Sequence, residues 1–225
     1  ELEKFLKELE ERFGDEPLMG RTRMQAATVI KVRDRVLPWR LPLAEHRVRL
    51  DQIRPRIERV QIGGASGDRK ALRNKADEVV ADVANQLDLA PTNKAWHTMR
   101  DGIVEYASLL SMISGTLGKI GQDIALMAQQ GIGAIAISGG GTSSAMPHKN
   151  NPIAAELLMT LARFNSVQVS AMHHALIHEQ ERSGAAWALE WMVLPQMLMA
   201  TARGLGTCCS LSQSITRIGE ADTKI

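Results

Sequence analysis

An all-α fold, an elongated bundle of long helices, is what this chain predicts, and three observations predict it. Apolar residues recur at three- and four-residue steps over long stretches: Ile103, Ala107, Leu110, Ile113, Leu117, Ile120, Ile124 and Met127 mark one buried stripe. Ala, Leu, Ile and Met are plentiful while aromatics make up only 4 % of the 225 residues, a palette that favours helix over sheet. The segments between the periodic stretches are polar and carry Gly or Pro, so they read as loops at the ends of long helices.

Taken in order, the first helix covers Leu2–Phe13, with Leu2, Phe5, Leu6, Leu9 and Phe13 in helical spacing and Gly14 closing it. Asp15 to Thr22 reads as a loop, and a helix is expected from Arg23 to Val36. Pro38 and Pro42 should break or kink it, because each removes an amide donor and crowds the preceding turn. Helix resumes near Leu43 and reaches about Ile62, with Pro55 a second local problem. Gly63-Gly64-Ala65-Ser66-Gly67 is a turn. Ala71 to Leu87 forms a shorter amphipathic helix, and Ala90-Pro91-Thr92-Asn93 a loop. The long helix from Ile103 ends near residue 129. Another starts at Pro152, the tolerated first-turn position, and runs to about Ile177. A last helix covers about Trp187 to Ser214. Little or no sheet is expected, and no internal repeat, heptad array or low-complexity tract is present.

The totals narrow the function. Apolar residues are 44 % and charged residues 23 %, the balance of a globular chain, and a net charge of +2 is too small to argue for nucleic acid. Basic and acidic residues alternate along helices as on ordinary solvated faces. Adjacent Cys208 and Cys209 do not pair with each other readily, and no Cys/His ligand spacing appears, so no metal is expected and a reducing, cytoplasmic setting is the simple reading. No apolar run approaches the ~18 residues of a membrane span. Helical spacing is already running at residue 1, so the chain is expected to be part of a longer protein.

The richest chemistry lies in Thr142-Ser143-Ser144-Ala145-Met146-Pro147-His148-Lys149-Asn150-Asn151-Pro152, after the flexible run Ser138-Gly139-Gly140-Gly141. Hydroxyls, an imidazole, an ammonium and amides within ten residues suit an anion-binding, proton-transferring loop and suit a packed core poorly. Ser143 and Ser144 precede the helix opened by Pro152, whose free amides and dipole favour anions. Lys149 adds a point charge for a carboxylate and Asn151 a donor to the same group. An exposed Gly/Ser linker fits the same composition.

This stretch closely resembles the signature S-S-x-M-P-x-K-x-N-P of the fumarase/aspartase superfamily. The resemblance implies a fumarase/aspartase-like central helical domain over residues 1–205, with the family's N-terminal part missing and residues 206–225 beginning a C-terminal helical segment. It implies cofactor-free chemistry beside a carboxylate, with Ser143 as the proton-transfer group and Ser144, Lys149 and Asn151 binding substrate. Gly20-Arg21-Thr22-Arg23-Met24-Gln25 is similar to the superfamily segment G-R-T-H-x-Q, which makes Thr22 and Gln25 substrate contacts. Arg23 stands where the pattern has His. An Arg cannot act as a base near neutrality but can bind a further carboxylate.

Two more stretches resemble one branch, the 3-carboxy-cis,cis-muconate lactonizing enzymes. Trp96-His97-Thr98-Met99-Arg100-Asp101 is similar to W-H-x-x-R-D, and His178-Glu179-Gln180-Glu181-Arg182-Ser183-Gly184-Ala185-Ala186-Trp187-Ala188-Leu189-Glu190-Trp191 to H-E-x-E-R-x-x-G-A-W-x-x-E-W. His97 and Arg100 lie three apart and share a helix face. Trp187 and Trp191 also read as plain i,i+4 packing residues, whereas Glu179, Arg182 and Glu190 are harder to explain as core. The implied activity is lactonization of a small tricarboxylate, with His97 an alternative acid and Arg100 and Arg23 carboxylate ligands. The implied assembly is a homotetramer whose sites are shared between subunits. A succinate-adduct lyase of the adenylosuccinate or argininosuccinate type, and a non-enzymatic helical scaffold, are the competing expectations.

Overall fold

The computed structural model describes residues 1–139, 141, 142, 146 and 150–220. Six α-helices dominate them: α1 (Leu2–Phe13), α2 (Val32–Ile57), α3 (Ala76–Leu87), α4 (Asp101–Met127), α5 (Ile153–His174) and α6 (Ala185–Ser214). The all-α class is therefore the one the apolar spacing predicts. Strands are short and occur as antiparallel pairs: β1 (Pro17–Thr22) with β2 (Gln25–Lys31), β3 (Ile135–Ile137) with β6 (Ile215–Ile218), and β4 (Gly141–Thr142) with β5 (Asn150–Asn151). The last helix, α6, ends at Ser214, as the spacing predicts.

The chain packs as two compact units. One comprises Glu1–His46, Met112–Asn165 and Met199–Ile225; the other comprises Arg47–Ser111 and Ser166–Leu198.

In the first unit, α1 buries Leu2, Leu6 and Leu9, spaced four and three apart on one face. Two sequence expectations fail next. Residues 17–31 form a hairpin instead of a loop followed by a helix. Gln25-Ala26-Ala27 reads as helical, but Thr28, Val29 and Ile30 are β-branched and pair with β1, with Leu18 opposite Ile30. The helix then passes straight through Pro38 and Pro42. A proline inside a helix costs about 3 kcal/mol. Val32, Val36, Trp39 and Leu43, one buried stripe along the same turns, offset it. Pro38 is exposed, as is Asp34, whose carbonyl it leaves without its usual helical donor, so the interruption falls on the solvent side of the helix. Trp39 is fully buried and its indole N–H donates to Asp123 at 2.6 Å, while Lys119 pairs with the same carboxylate.

The centre of this unit is the approach of α4, α5 and α6. A Cβ on Gly118 would lie 2.6 Å from Cβ of Ala162, and one on Gly121 would lie 2.6 Å from the carbonyl oxygen of Ala155. Glycine is therefore required at both places for α4 to touch α5. Asn165 on α5 donates through Nδ2 to Ser114 on α4 at 2.7 Å and to Thr201 on α6 at 2.9 Å, so one buried amide ties three helices.

In the second unit the later residues of α2 continue through exposed Pro55, and Arg56 pairs with Glu105 on α4. Val104, Ala107 and Leu110 of α4, Met172 of α5 and Val193 and Met197 of α6 form its main core. A smaller cluster joins α3, through Val80 and Ala84, to Val60. Buried Arg69 holds the connecting segments. It donates to the carbonyls of Ile62 and Thr92 at 2.8 and 2.7 Å and to the Thr92 hydroxyl at 2.9 Å.

Replacing Gly121 by Ala tests the close approach. Helix propensity alone favours Ala by about 1 kcal/mol, but overpacking costs about 1–3 kcal/mol. Urea denaturation should show a net loss of stability for Gly121→Ala. Gly115→Ala, where a Cβ meets nothing within 4 Å, should gain up to about 1 kcal/mol.

Candidate active site

The sequence-predicted residues fall into three groups. Thr22, Arg23 and Gln25 sit at the exposed tip of the β1–β2 hairpin, where Thr22 pairs with Gln25 across a two-residue turn. Arg23 and Met24 have φ of 49° and 66°. Two positive φ values define a type I′ turn, normally made by Asn or Gly, so the tip is strained and presents both side chains to solvent. The hairpin that the sequence did not announce is thus what displays this group.

The second group is the signature stretch. Ser143, Ser144 and Lys149 lie outside the described residues. Asn151 is in β5, paired with Gly141, and α5 opens just beyond it, with Glu156 N–H bonded to the Pro152 carbonyl at 3.0 Å. Asn151 and Pro152 line two cavities in the first unit. One, of about 650 Å³, is walled by β3, the start of α5 and the end of α6. The other, of about 760 Å³, reaches Gln129, Gln130 and Glu156. The amino end of α5 therefore borders open space in which an anion meets its dipole.

The third group lies in the second unit at the start of α4. Arg100 and Glu190 are both buried and form a two-pronged ion pair, Nε to Oε2 at 2.8 Å and Nη2 to Oε1 at 2.5 Å. The Arg100 guanidinium also covers the Trp96 ring at 4.8 Å. Two of its donors are thus committed within the protein. Glu190 was the partner that spacing could not supply, since it lies 90 residues away. The signal for it was an acid on an apolar helix that offers no reason for burial.

His97 is 6 % exposed and meets the edge of Trp187, with ring centroids 5.6 Å apart. Trp187 stacks on Trp191 at 5.5 Å, so the i,i+4 packing reading of that pair stands. Nη2 of Arg182 lies 3.1 and 3.0 Å from the two ring nitrogens of His97, and its guanidinium covers Trp187 at 5.0 Å. Burial pushes the His97 pKa below its ordinary value, and the charges of Arg182 and then Arg100 push the same way. The neutral ring is therefore favoured, suited to accept a hydrogen bond rather than to hold a proton in reserve. Arg182 is the neighbour that matters here, and it was not among the expected site residues. Ser183, also buried, caps α6 through the Ala186 amide at 3.2 Å and fixes the turn that carries Arg182.

Long helices joined at small-residue contacts define a helical-bundle architecture, and comparison with known proteins gives it a family. A sequence profile described simply as "Lyase" matches residues 1–167, and the chain belongs to that family. It is 39 % identical to the 3-carboxy-cis,cis-muconate cycloisomerase of Pseudomonas aeruginosa, over 91 % of this chain and 45 % of that protein. It is 37 % identical to the enzyme of the same name from Acinetobacter baylyi, over 84 % of this chain and 42 % of that one. Among solved structures, the 3-carboxy-cis,cis-muconate lactonizing enzyme from Pseudomonas putida superposes with a TM-score of 0.89 at 35 % identity, over 96 % of this chain and 48 % of that one. The resemblance read from the motifs is borne out. The chain spans about half the length of these relatives.

The lowered His97 pKa carries a stability consequence. The unfolded chain takes up the His97 proton below about pH 6.5 while the folded chain resists it, so stability contributed by neutral His97 is full above that value and is lost as pH falls. In urea melts the wild type should lose more stability between pH 7.5 and 5.5 than His97→Gln does. Equal losses would contradict the placement of His97 beside Arg182.

Proposed function

We propose that the protein carrying this chain is a 3-carboxy-cis,cis-muconate cycloisomerase. The observation that carries the reading is the coincidence of three motif groups of one branch with 39 % identity to an enzyme of that name. A substrate carboxylate oxygen bonds to one carbon of the molecule's own C=C. The π pair moves to the adjacent carbon, where a neighbouring carboxylate takes up the charge, and that carbon then receives one proton. The nucleophile belongs to the substrate, so the enzyme has to supply position, positive charge and the proton.

In this reading Ser143 gives the proton. Neutral His97 is a poor standing acid at pH 7, which favours the serine over the imidazole. Lys149, Asn151 and Ser144, with the amino end of α5, bind carboxylate groups. Thr22, Gln25 and Arg23 contribute from the hairpin tip, where Arg23 in place of a His tells against a succinate-adduct lyase. Arg100, held by Glu190, orients the turn bearing His97 more than it binds substrate. No cofactor is required by this chemistry.

The protein acts as a homotetramer in this reading. Along α6, Ala188, Trp191, Pro195, Leu198, Ala202 and Leu205 are exposed at steps of three and four residues, and Trp191 is 65 % exposed. An apolar seam of this period seeks partner helices. Both cysteines are free, which accords with a cytoplasmic setting. No helix among the described residues is long and apolar enough to cross a membrane.

The direct test is the ultraviolet absorbance of 3-carboxy-cis,cis-muconate mixed with the full-length protein without added metal. Absorbance should fall rapidly, and Ser143→Ala should slow turnover by about 10²–10⁴-fold. Near-normal turnover in the variant would remove Ser143 from the chemistry. Release of fumarate from adenylosuccinate or argininosuccinate, with the muconate untouched, would assign the lyase reaction instead.

A further inference from the structure

Three polar contacts of Arg182 run through one atom. Its Nη2 lies 3.1 and 3.0 Å from the two ring nitrogens of His97 and donates to the Gly64 carbonyl at 3.3 Å. The α5–α6 connection, the segment before α4 and the glycine-rich loop 63–67 therefore meet at a single nitrogen. The loop is fixed at both ends. Before it, the Gln61 side chain accepts from the Trp96 amide at 2.9 Å; after it, buried Arg69 donates to Ile62 and Thr92. Between these anchors Gly67 is buried against the imidazole: a Cβ there would lie 3.8 Å from Nδ1 of His97 and 3.2 Å from Cβ of Ala95. Gly63, Gly64 and Gly67 leave this stretch of backbone free to change conformation. The bond from Arg182 to Gly64 ties its middle to the α5–α6 connection.

The charges around His97 are one-sided. Arg182 faces it from the α5–α6 connection and Arg100 from the start of α4. The neighbouring carboxylates are engaged elsewhere: Glu190 with Arg100, Asp68 with the Ser66 hydroxyl and Lys70, and Glu179 with Ser183 and Gly184. Asp101 and Glu181 are exposed. A neutral imidazole offers Nη2 a lone pair. A protonated one has a donor at each nitrogen and a positive charge, so Nη2 loses its acceptor there and is repelled. One guanidinium then has to yield. Arg100 is buried and held by both oxygens of Glu190, whereas Arg182 is exposed and reaches water by rotating its own side chain.

We infer that Arg182 is a proton-released latch: with His97 neutral it pins loop 63–67 over the imidazole, and protonation of His97 drives the guanidinium into solvent, frees the Gly64 carbonyl and opens the loop. The imidazole, 6 % exposed while the latch is shut, then meets water. Opening takes up a proton, so it is favoured as pH falls below about 6.5, by up to tenfold per pH unit. The latch does not depend on the reaction proposed above.

Hydrogen–deuterium exchange of the full-length protein at pH 7.5 and 5.0, corrected for the intrinsic effect of pH on exchange, tests this. The reporter is the buried Gly67 amide, which bonds to the Gly64 carbonyl at 2.9 Å. In the wild type its protection should fall by about tenfold or more at pH 5.0, while the core of α4 keeps its own. His97→Gln, which keeps a neutral acceptor and does not titrate, should hold the loop at both pH values. Arg182→Met should show an unprotected loop already at pH 7.5, with no further loss in acid. Because Arg182 is exposed, this variant reads the latch even if His97→Gln destabilises the protein. Protection unchanged by acid in the wild type, acid loss that survives in His97→Gln, or full protection in Arg182→Met at pH 7.5 would each overturn the latch. So would a simultaneous loss across α4, which marks acid unfolding of the whole unit.

Discussion

The buried ion pair between Arg100 and Glu190 constrains everything around the start of α4. Removing two charges from water is expensive, and only good geometry and full use of the donors repay it. Here the pair is two-pronged, both side chains are under 10 % exposed, and Trp96 covers the guanidinium. The arrangement is satisfied only when the first turn of α4 and the second turn of α6 stand at one register. That register sets where His97, three residues before Arg100, and Trp187, three before Glu190, meet edge to face. Arg182 then closes over both. Burial lowers the His97 pKa most, the charge of Arg182 adds to it, and Arg100 of the pair adds the smallest part.

The same three helices serve two different ends along their length. In the first unit α4, α5 and α6 meet through Gly118, Gly121 and the Asn165 hydrogen bonds, a close and specific contact. There they frame the cavities beside Asn151. In the second unit they meet through larger side chains, Leu110, Met172, Val193 and Met197, and carry the charged cluster.

Sequence periodicity was enough for α1, α4, α5 and α6, whose bounds fall within a few residues of those expected, because each has one apolar stripe and its ends carry Gly, Pro or polar residues. It misread residues 23–57. The hairpin is mostly exposed, so it has no alternating buried face to declare it, and Ala26 and Ala27 favour a helical reading. Pro38 and Pro42 were read by local cost alone, while burial of Trp39 and its neighbours decided the outcome. The site was legible wherever chemistry is local. Motifs placed His97, Asn151 and the hairpin residues in sequence, but no spacing pairs Arg100 with Glu190 or Arg182 with His97, which lie about 90 residues apart. Long-range partners of this kind become visible only when the helices are packed.

The account turns on whether the Arg100–Glu190 pair is a mutually dependent unit, and a double-mutant cycle measures that directly. Arg100→Met and Glu190→Leu, each made alone, leave one buried charge unmatched and should each cost about 3–5 kcal/mol in urea denaturation at pH 7.5. The double variant removes both charges and should recover most of that loss. If the two costs simply add, to within about 0.5 kcal/mol, the residues act independently and the pair does not hold the start of α4 to α6.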